Sequence, residues 1–369
     1  MTWTHVYLAA GFSALALSAL LTALFQRVGA RWHLLDRPNS EGHKGHAASV
    51  PLLGGPAMFL AWSAIILAGV AVSALPGSWM SESLQNHLGG VLTVSPRLIG
   101  IVLGSSLLVL IGLIDDHANM RASIKFLGQL AAAVLVVSLG IRSTFFVTVP
   151  LLSWLGSVVW VVFLINAINF LDNMDGLAAG IGTLTALFFA LVAGVREQFF
   201  VATLASVTAG VAAGFLLHNR PPATIFMGDA GSHFLGFTLA VLGILTTYYA
   251  PDTTPTPAPV LIPLLILAVP ILDLIAVVIM RIRSGKPVHV GDHTHISHRF
   301  ESMGFSRARS VLLVYLLVFT TGASGVFLVW VPAVGVVLAL LQAAAVISAV
   351  GILQYTNPSP TQNQEASKP

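Results

Sequence analysis

The feature that most constrains this chain is the near-absence of charge from long stretches of it. Apolar runs recur near 5–26, 52–75, 98–114, 124–141, 147–168, 176–194, 198–217, 232–250, 258–280, 310–330 and 332–354. Each approaches or exceeds the roughly 17 to 25 residues that a helix needs to cross a bilayer. A segment in lipid must satisfy its own backbone, and a helix does so. The expected fold class is therefore all-α, a polytopic integral membrane protein of about eleven transmembrane helices. Charged residues make up 8% of the chain, against roughly 25% in an average soluble domain. The first run has no basic region ahead of it and ends at Gln26-Arg27, so it reads as a retained span rather than a cleaved signal. Gly325 and Pro332 divide the last long run into two.

Basic residues between the runs set the orientation. With the N-terminus outside, fourteen of the seventeen Lys and Arg fall inside, leaving Arg97, Arg142 and Arg196 outside. That bias predicts an odd number of spans and a cytoplasmic C-terminus. The acidic residues were not used in that assignment, yet Asp36, Asp115, Asp116, Asp172, Asp175, Asp229 and Asp292 all fall on the same side. A transporter would place such groups near the bilayer midplane; here only Asp273 lies well inside a run, about two turns from Arg281. Residues 1–356 form one membrane domain, followed by a polar tail, 357–369, expected to be disordered. The net charge of +3 belongs to loops beside a membrane, and no nucleic-acid partner is expected. With no cysteine, thiolate chemistry is excluded; Asp, Asn, Lys, Arg and His must carry any reaction.

Five stretches bring those residue types together. Asp36 to Gly55 is a Gly- and Pro-punctuated basic loop that can place Lys44 and His46 over an anion, although taken alone it reads equally as a positive-inside loop with two turns. Asp115 and Asp116 end an apolar run and are followed by Arg121 and Lys125; adjacent carboxylates repel unless a cation, a lysine or a proton lies between them, and a solvated helix end is the simpler account of the pair taken alone. Asn166, Asn169, Asp172 and Asp175 recur every three residues, so a continuing helix would bring neighbours onto one face. Helix capping by Asp172 or Asn173 is the simpler account, but it explains one such residue and not four. Phe226 to Ser232, FMGDAGS, leads directly into a run. Its glycines and free N–H groups suit a phosphate, and Asp229 suits a hard cation, with capping by Asp229 or Ser232 as the competing reading. The last stretch, Asp292 to Arg299, reads DHTHISHR. Without cysteine or a zinc-protease framework, His295, His298 and Arg299 fit a diphosphate better than zinc. Oxygen ligands and basic donors around glycine turns describe a Mg²⁺-diphosphate site.

With these motifs in this order, the chain resembles the polyprenyl-phosphate N-acetylhexosamine-1-phosphate transferases, the WecA/TagO/MraY superfamily, and its histidine segment resembles the WecA/TagO branch. The likeness runs from DRPN to HTHISHR. It implies a catalytic set of Asp115, Asp116, Lys125, His295, His298 and Arg299, and Mg²⁺ (Mn²⁺ as a substitute) on Asn169 and Asp229. It further implies substrate contacts from Lys44, His46, Asn166, Asp172, Asp175 and Phe226, the last stacking on uracil. Three positions depart from the family pattern: Asn173 stands where a glycine is usual, Ser297 replaces the middle histidine, and two extra residues separate DRPN from Lys44.

The resemblance implies transfer of an N-acetylhexosamine-1-phosphate, N-acetylglucosamine-1-phosphate first among them, from a UDP-sugar to undecaprenyl phosphate. UMP would leave at the cytoplasmic face of a bacterial inner membrane, in the first membrane step of an envelope polysaccharide. A homodimer is compatible with it. A phospho-N-acetylmuramoyl-pentapeptide transferase and a non-catalytic lipid or solute transporter are the alternatives.

Overall fold

The computed structural model describes residues 2–32, 35–36, 50–73, 90–143, 149–248, 257–285 and 295–356. Nearly all of this is helix. In chain order the helices are α1 (Trp3–Trp32), α2 (Gly54–Ser73), α3 (Val91–Ala118), α4 (Ala122–Ser138), α5 (Pro150–Leu171), α6 (Leu177–Val195), α7 (Phe199–Asn219) and α8 (Gly228–Leu245). They continue with α9 (Ile262–Ile266), α10 (Ala268–Arg283), α11 (Ile296–Ser302), α12 (Arg307–Phe327) and α13 (Ala333–Thr356). The exception is a two-residue antiparallel pair, β1 (Leu35–Asp36) with β2 (Val50–Pro51), in register Leu35 to Pro51 and Asp36 to Val50.

Among the described residues, eight helices are long and apolar enough to cross a membrane: α1, α2, α3, α5, α6, α7, α8 and α12. The stretch 258–283 is a bent pair, turned by 66° between α9 and α10. Pro270 explains the break, because it has no N–H to give the carbonyl of Ile266, four residues back, where α9 ends. The remaining two apolar stretches are the shorter helix α4 and the 334–349 part of α13. All eleven apolar runs of the sequence thus lie on helix, and the chain is a multi-pass membrane protein.

Helices α6, α7 and α8 form the centre, where Phe189, Phe215, Phe234 and Phe237 are fully buried. Lipid tails are as apolar as these side chains, so packing and a few polar bridges must hold the bundle together. Ser18 of α1 donates to the Val211 carbonyl of α7 at 2.7 Å, Trp62 of α2 to Thr208 of α7 at 3.2 Å, and Trp160 of α5 to the Ala240 carbonyl of α8 at 3.2 Å. Each such bridge contributes about 0.6 kcal/mol. The outer surface carries exposed Phe12, Leu103, Leu110, Val159 and Leu316, as a lipid-facing rim should. At one end of the bundle, α3 ends, α4 begins, α5 ends and α8 begins in mutual contact. The polar residues gather there.

Candidate functional site

Asp115 and Asp116 occupy the last turn of α3. Asn119 closes that helix in the left-handed region, φ 47°, and its N–H returns to the Asp115 carbonyl. The chain then reverses directly into α4, whose first turn carries Lys125. The adjacent carboxylates are separated by facing different partners. Asp115 accepts from the Met120 N–H at 2.8 Å and from Lys125 Nζ at 3.0 Å. The same ammonium is ion-paired with Asp229 of α8. Lys125 therefore bridges two carboxylates that lie 114 positions apart in the chain.

Asp116 faces the start of α8, accepting from the Asp229 N–H at 2.8 Å and lying 3.4 Å from the Ala230 nitrogen. The first N–H groups of a helix have no partner within it, and the positive end of the helix favours an anion. A carboxylate from α3 fills that role, so the capping expected of Asp229 or Ser232 is not found: Met227 is the N-cap residue, with no side-chain cap bond, and Ser232 bonds back to the Gly228 carbonyl at 3.2 Å. Gly228 has φ 62°, and a Cβ there would run into the Asp116 carboxylate. The carboxylate approaches this close only because position 228 is glycine.

The Asn/Asp series does not stay on one helix face. Helix α5 stops at Leu171, Asp172 is its C-cap, and Gly176 rather than Asp172 or Asn173 precedes α6. The four residues consequently diverge. Asn169 reaches the cluster, donating to Asp229 Oδ1 at 2.8 Å and Ser232 Oγ at 2.9 Å. Asn166, one turn deeper, donates to Gln129 of α4 at 2.7 Å, and Gln129 lies 3.2 Å from the His233 ring. Asp175 accepts from the Ala223 N–H at 2.9 Å, tying the turn to the 220–227 loop. Asn219 joins the same two segments, accepting from Gly176 N–H at 3.0 Å and donating to the Ile225 carbonyl at 2.9 Å. Phe226, half-buried in that loop, uses its backbone on Pro51 and Gly54, which brings the start of α2 alongside.

Gln129, His233 and Asn219 were not among the sequence candidates. Each is a buried polar residue in or beside an apolar helix, and the cost of such a group in a membrane is the clue that would have found it.

The histidine segment enters from another direction. Asp273 of α10 is paired with His295: its carboxylate meets His295 Nδ1 at 2.7 Å and the Ile296 N–H at 2.8 Å. Arg281 lies over the Phe170 ring, 5.1 Å from its centroid. His295 stands edge-on to the same ring at 6.3 Å, next to Asn169 in the chain. Ser297 donates to Asn173 at 2.8 Å. These contacts bring the α11 segment onto the α5–α6 turn. Within it, Arg299 donates to Met280 Sδ at 2.8 Å, and His298 lies 3.3 Å from Glu301. Burial pushes the Glu301 carboxyl up, but hydrogen bonds from Arg307 and His298 outweigh it and hold the group below its usual range.

Comparison with known proteins places the chain in a family. The model of glycosyl transferase family 4 matches residues 98–247, which contain the α3–α4 and α5–α8 parts of the cluster. A Bacillus subtilis protein described as a probable undecaprenyl-phosphate N-acetylglucosaminyl 1-phosphate transferase is 33% identical over 84% of this chain and 81% of its own length. The chain belongs to the polyprenyl-phosphate N-acetylhexosamine-1-phosphate transferase family. A decaprenyl-phosphate N-acetylglucosaminephosphotransferase of Mycobacterium tuberculosis is 33% identical over 74% of this chain and 70% of its own. A phospho-N-acetylmuramoyl-pentapeptide-transferase of Enterococcus hirae is 29% identical over 56% and 64%.

Two residues of this family member's expected site, Lys44 and His46, lie outside the described residues. The others divide into a carboxylate cluster and a histidine segment, joined through the α5–α6 turn. In the carboxylate cluster, Asp115, Asp229 and the Asn169 amide offer oxygen to a cation, and the Lys125 ammonium already marks a position where positive charge is held. Among the described residues no three His, Asp or Glu side chains converge as a closed metal cage. That donor set fits Mg²⁺, which takes one or two carboxylates and completes its shell with water and substrate phosphate.

Proposed function

We propose that the protein transfers N-acetylglucosamine-1-phosphate from UDP-N-acetylglucosamine to undecaprenyl phosphate at the cytoplasmic face of a bacterial inner membrane, releasing UMP. The observation that carries this reading is the Lys125 bridge between Asp115 and Asp229 at the end of the bundle, where a lipid headgroup and a cytosolic nucleotide can both reach. Two of the relatives named above, those of Bacillus subtilis and Mycobacterium tuberculosis, are described as transferring N-acetylglucosamine phosphate to a prenyl phosphate, which supports this reading.

The physical difficulty is to bring a lipid phosphate against a nucleotide diphosphate. A lipid phosphate is already confined to headgroup depth, so part of the positioning is supplied by the membrane. Lys125, with Lys44 and Arg299, would offset the repulsion between the two anions and stabilise charge on the departing UMP. Mg²⁺ held by Asp229 and Asn169 would supply electrostatic stabilisation of the phosphoryl oxygens. In the direct route a lipid phosphate oxygen forms a bond to the β-phosphorus, the bond from that phosphorus to the bridging oxygen breaks, and UMP leaves with the electron pair. Asp115 orients the attacking phosphate through Lys125. Asp116 holds the N-terminus of α8 and with it Asp229. Asp172, Asp175 and Phe226 border the nucleotide and sugar.

Membranes containing the protein, incubated with labelled UDP-N-acetylglucosamine and undecaprenyl phosphate, should yield a butanol-extractable lipid and UMP, and EDTA should stop the reaction until Mg²⁺ is restored. Transfer of N-acetylmuramoyl-pentapeptide phosphate alone would move the protein to the other branch. No product from any UDP-sugar would refute transferase activity. A sugar-phosphorylated protein trapped without lipid acceptor would replace the direct route by a covalent one.

A further inference from the structure

Asn173, on the α5–α6 turn, and Ser297, on α11, meet each other. Ser297 Oγ donates to Asn173 Oδ1 at 2.8 Å across 124 positions of chain. The Asn173 amide is oriented by a second bond, Nδ2 to the Phe170 carbonyl at 3.0 Å, which turns Oδ1 toward Ser297. Ser297 is fully buried, so water does not compete for the hydroxyl. On one side of this bond is the turn carrying Asp172 and Asp175; on the other is the segment carrying His295, His298 and Arg299. Asp273 fastens that segment to α10, whereas the Ser297 bond sets its position relative to the turn.

We propose that the Asn173–Ser297 pair is a positioning latch. It registers the histidine segment against the α5–α6 turn, so that one donor molecule is contacted at its diphosphate and at its nucleotide-sugar end together. The proposal rests on the function proposed above. Neither residue is a catalytic group: Asn173 acts through the turn and Ser297 through α11. The latch therefore governs the UDP-sugar and leaves the lipid phosphate untouched.

The test is a double-mutant cycle on the full-length protein in detergent, with KM measured separately for UDP-N-acetylglucosamine and undecaprenyl phosphate. A net hydrogen bond is worth about a fivefold change in an equilibrium, so Asn173→Ala and Ser297→Ala should each raise donor KM about fivefold. Acceptor KM should stay within about twofold, and the double variant should be no worse than either single, as for one shared interaction. Unchanged donor KM in both singles, multiplying effects in the double, or an equal rise in acceptor KM would overturn the latch. A merely structural role would lower the amount of active enzyme and move neither constant.

A second measurement does not depend on the alanine variants folding. The chain has no cysteine, so Asn173→Cys/Ser297→Cys introduces a single pair. Oxidation should cross-link it and bring donor KM back toward the parent value; reduction should raise it again. Failure to cross-link, or a cross-linked protein with the reduced form's donor KM, counts against the latch. If the parent protein itself forms no lipid product, the transferase reading fails, and the latch fails with it as a donor device even where the cross-link forms.

Discussion

The carboxylate cluster and the histidine segment carry similar residue types but use them differently. In the cluster, Lys125, Asp115 and Asp229 keep 21%, 14% and 23% of their side-chain surface, and their charges face one another. In the histidine segment, His295 and Asp273 keep 4% and 1%, and Asp273 also accepts the first backbone N–H of α11. An ion pair open to solvent can exchange its partner for a ligand. A buried pair that also anchors backbone cannot do so without releasing the segment. On the function proposed above, the first region reacts and the buried His295–Asp273 pair holds, so substitutions in the first should reduce turnover with little effect on folding, while those at the buried pair should reduce stability and carry activity down with it.

The largest effect should come from Asp229→Ala. It removes one of the two partners of Lys125 and one of the two of Asn169 at once, and turnover should fall by about 10³-fold, the upper range for loss of a preorganised electrostatic group. Thermal unfolding in detergent should change little. Lys125→Met, similar in length but uncharged, comes next, with a loss of about 10²-fold. It also leaves Asp115 and Asp229 facing each other, so added Mg²⁺ should recover part of the activity. If either variant loses its fold before its activity, the contrast between the regions fails.

Both regions were partly legible in the sequence. Asp115, Asp116, Lys125, Asn169 and Asp229 stand out in the sequence as charges or amides at the ends of apolar runs, and they do converge, because a polar group at the end of a membrane helix is costly to leave without a partner. The long apolar runs are legible for a related reason: a bilayer imposes a length and a composition on each helix that crosses it, and eight of the eleven are single helices that meet both. Pairings between distant segments were not legible. Asp273 is bonded to His295, 22 positions further on, and nothing local announces that partner. The regular spacing of Asn166 to Asp175 suggested a continuing helix, yet the turn that ends at Gly176 is fixed from outside, by Asn219 and by Tyr315, whose hydroxyl donates to the Gly176 carbonyl at 2.5 Å.

On the holding side, Asp273→Ala should act first on stability. It strands a buried imidazole and a buried N–H, and each unsatisfied buried group costs about 1–3 kcal/mol. The melting temperature should drop, with activity falling alongside it by about tenfold at temperatures where the fold survives. Gly228→Ala is the intermediate case. It places a Cβ against Asp116 at a backbone angle that side chains rarely adopt, and such strain costs about 1–3 kcal/mol. Because Asp116 holds Asp229 through the start of α8, this substitution should lower turnover by more than its loss of stability accounts for. Equal losses would make Asp116 a purely structural cap.

Glu301→Gln should have the smallest effect, and its pH dependence sharpens the comparison. Glu301 meets Arg307 at 3.0 Å and His298 at 3.3 Å, but its side chain is 35% exposed, and screened pairs of this kind contribute about 0–1 kcal/mol. Burial raises its pKa, and the bonds to Arg307 and His298 lower it further than burial raises it. A carboxyl whose folded pKa is depressed adds stability that is present above its unfolded pKa and is lost as pH falls through the folded one. The parent protein should therefore melt slightly above the Gln variant at neutral pH, and the two curves should converge as the pH drops below the normal glutamate range. A constant gap across that range would mean that Glu301 holds α11 by its shape and not by its charge, and the exposed edge of the histidine segment would then behave like its buried core.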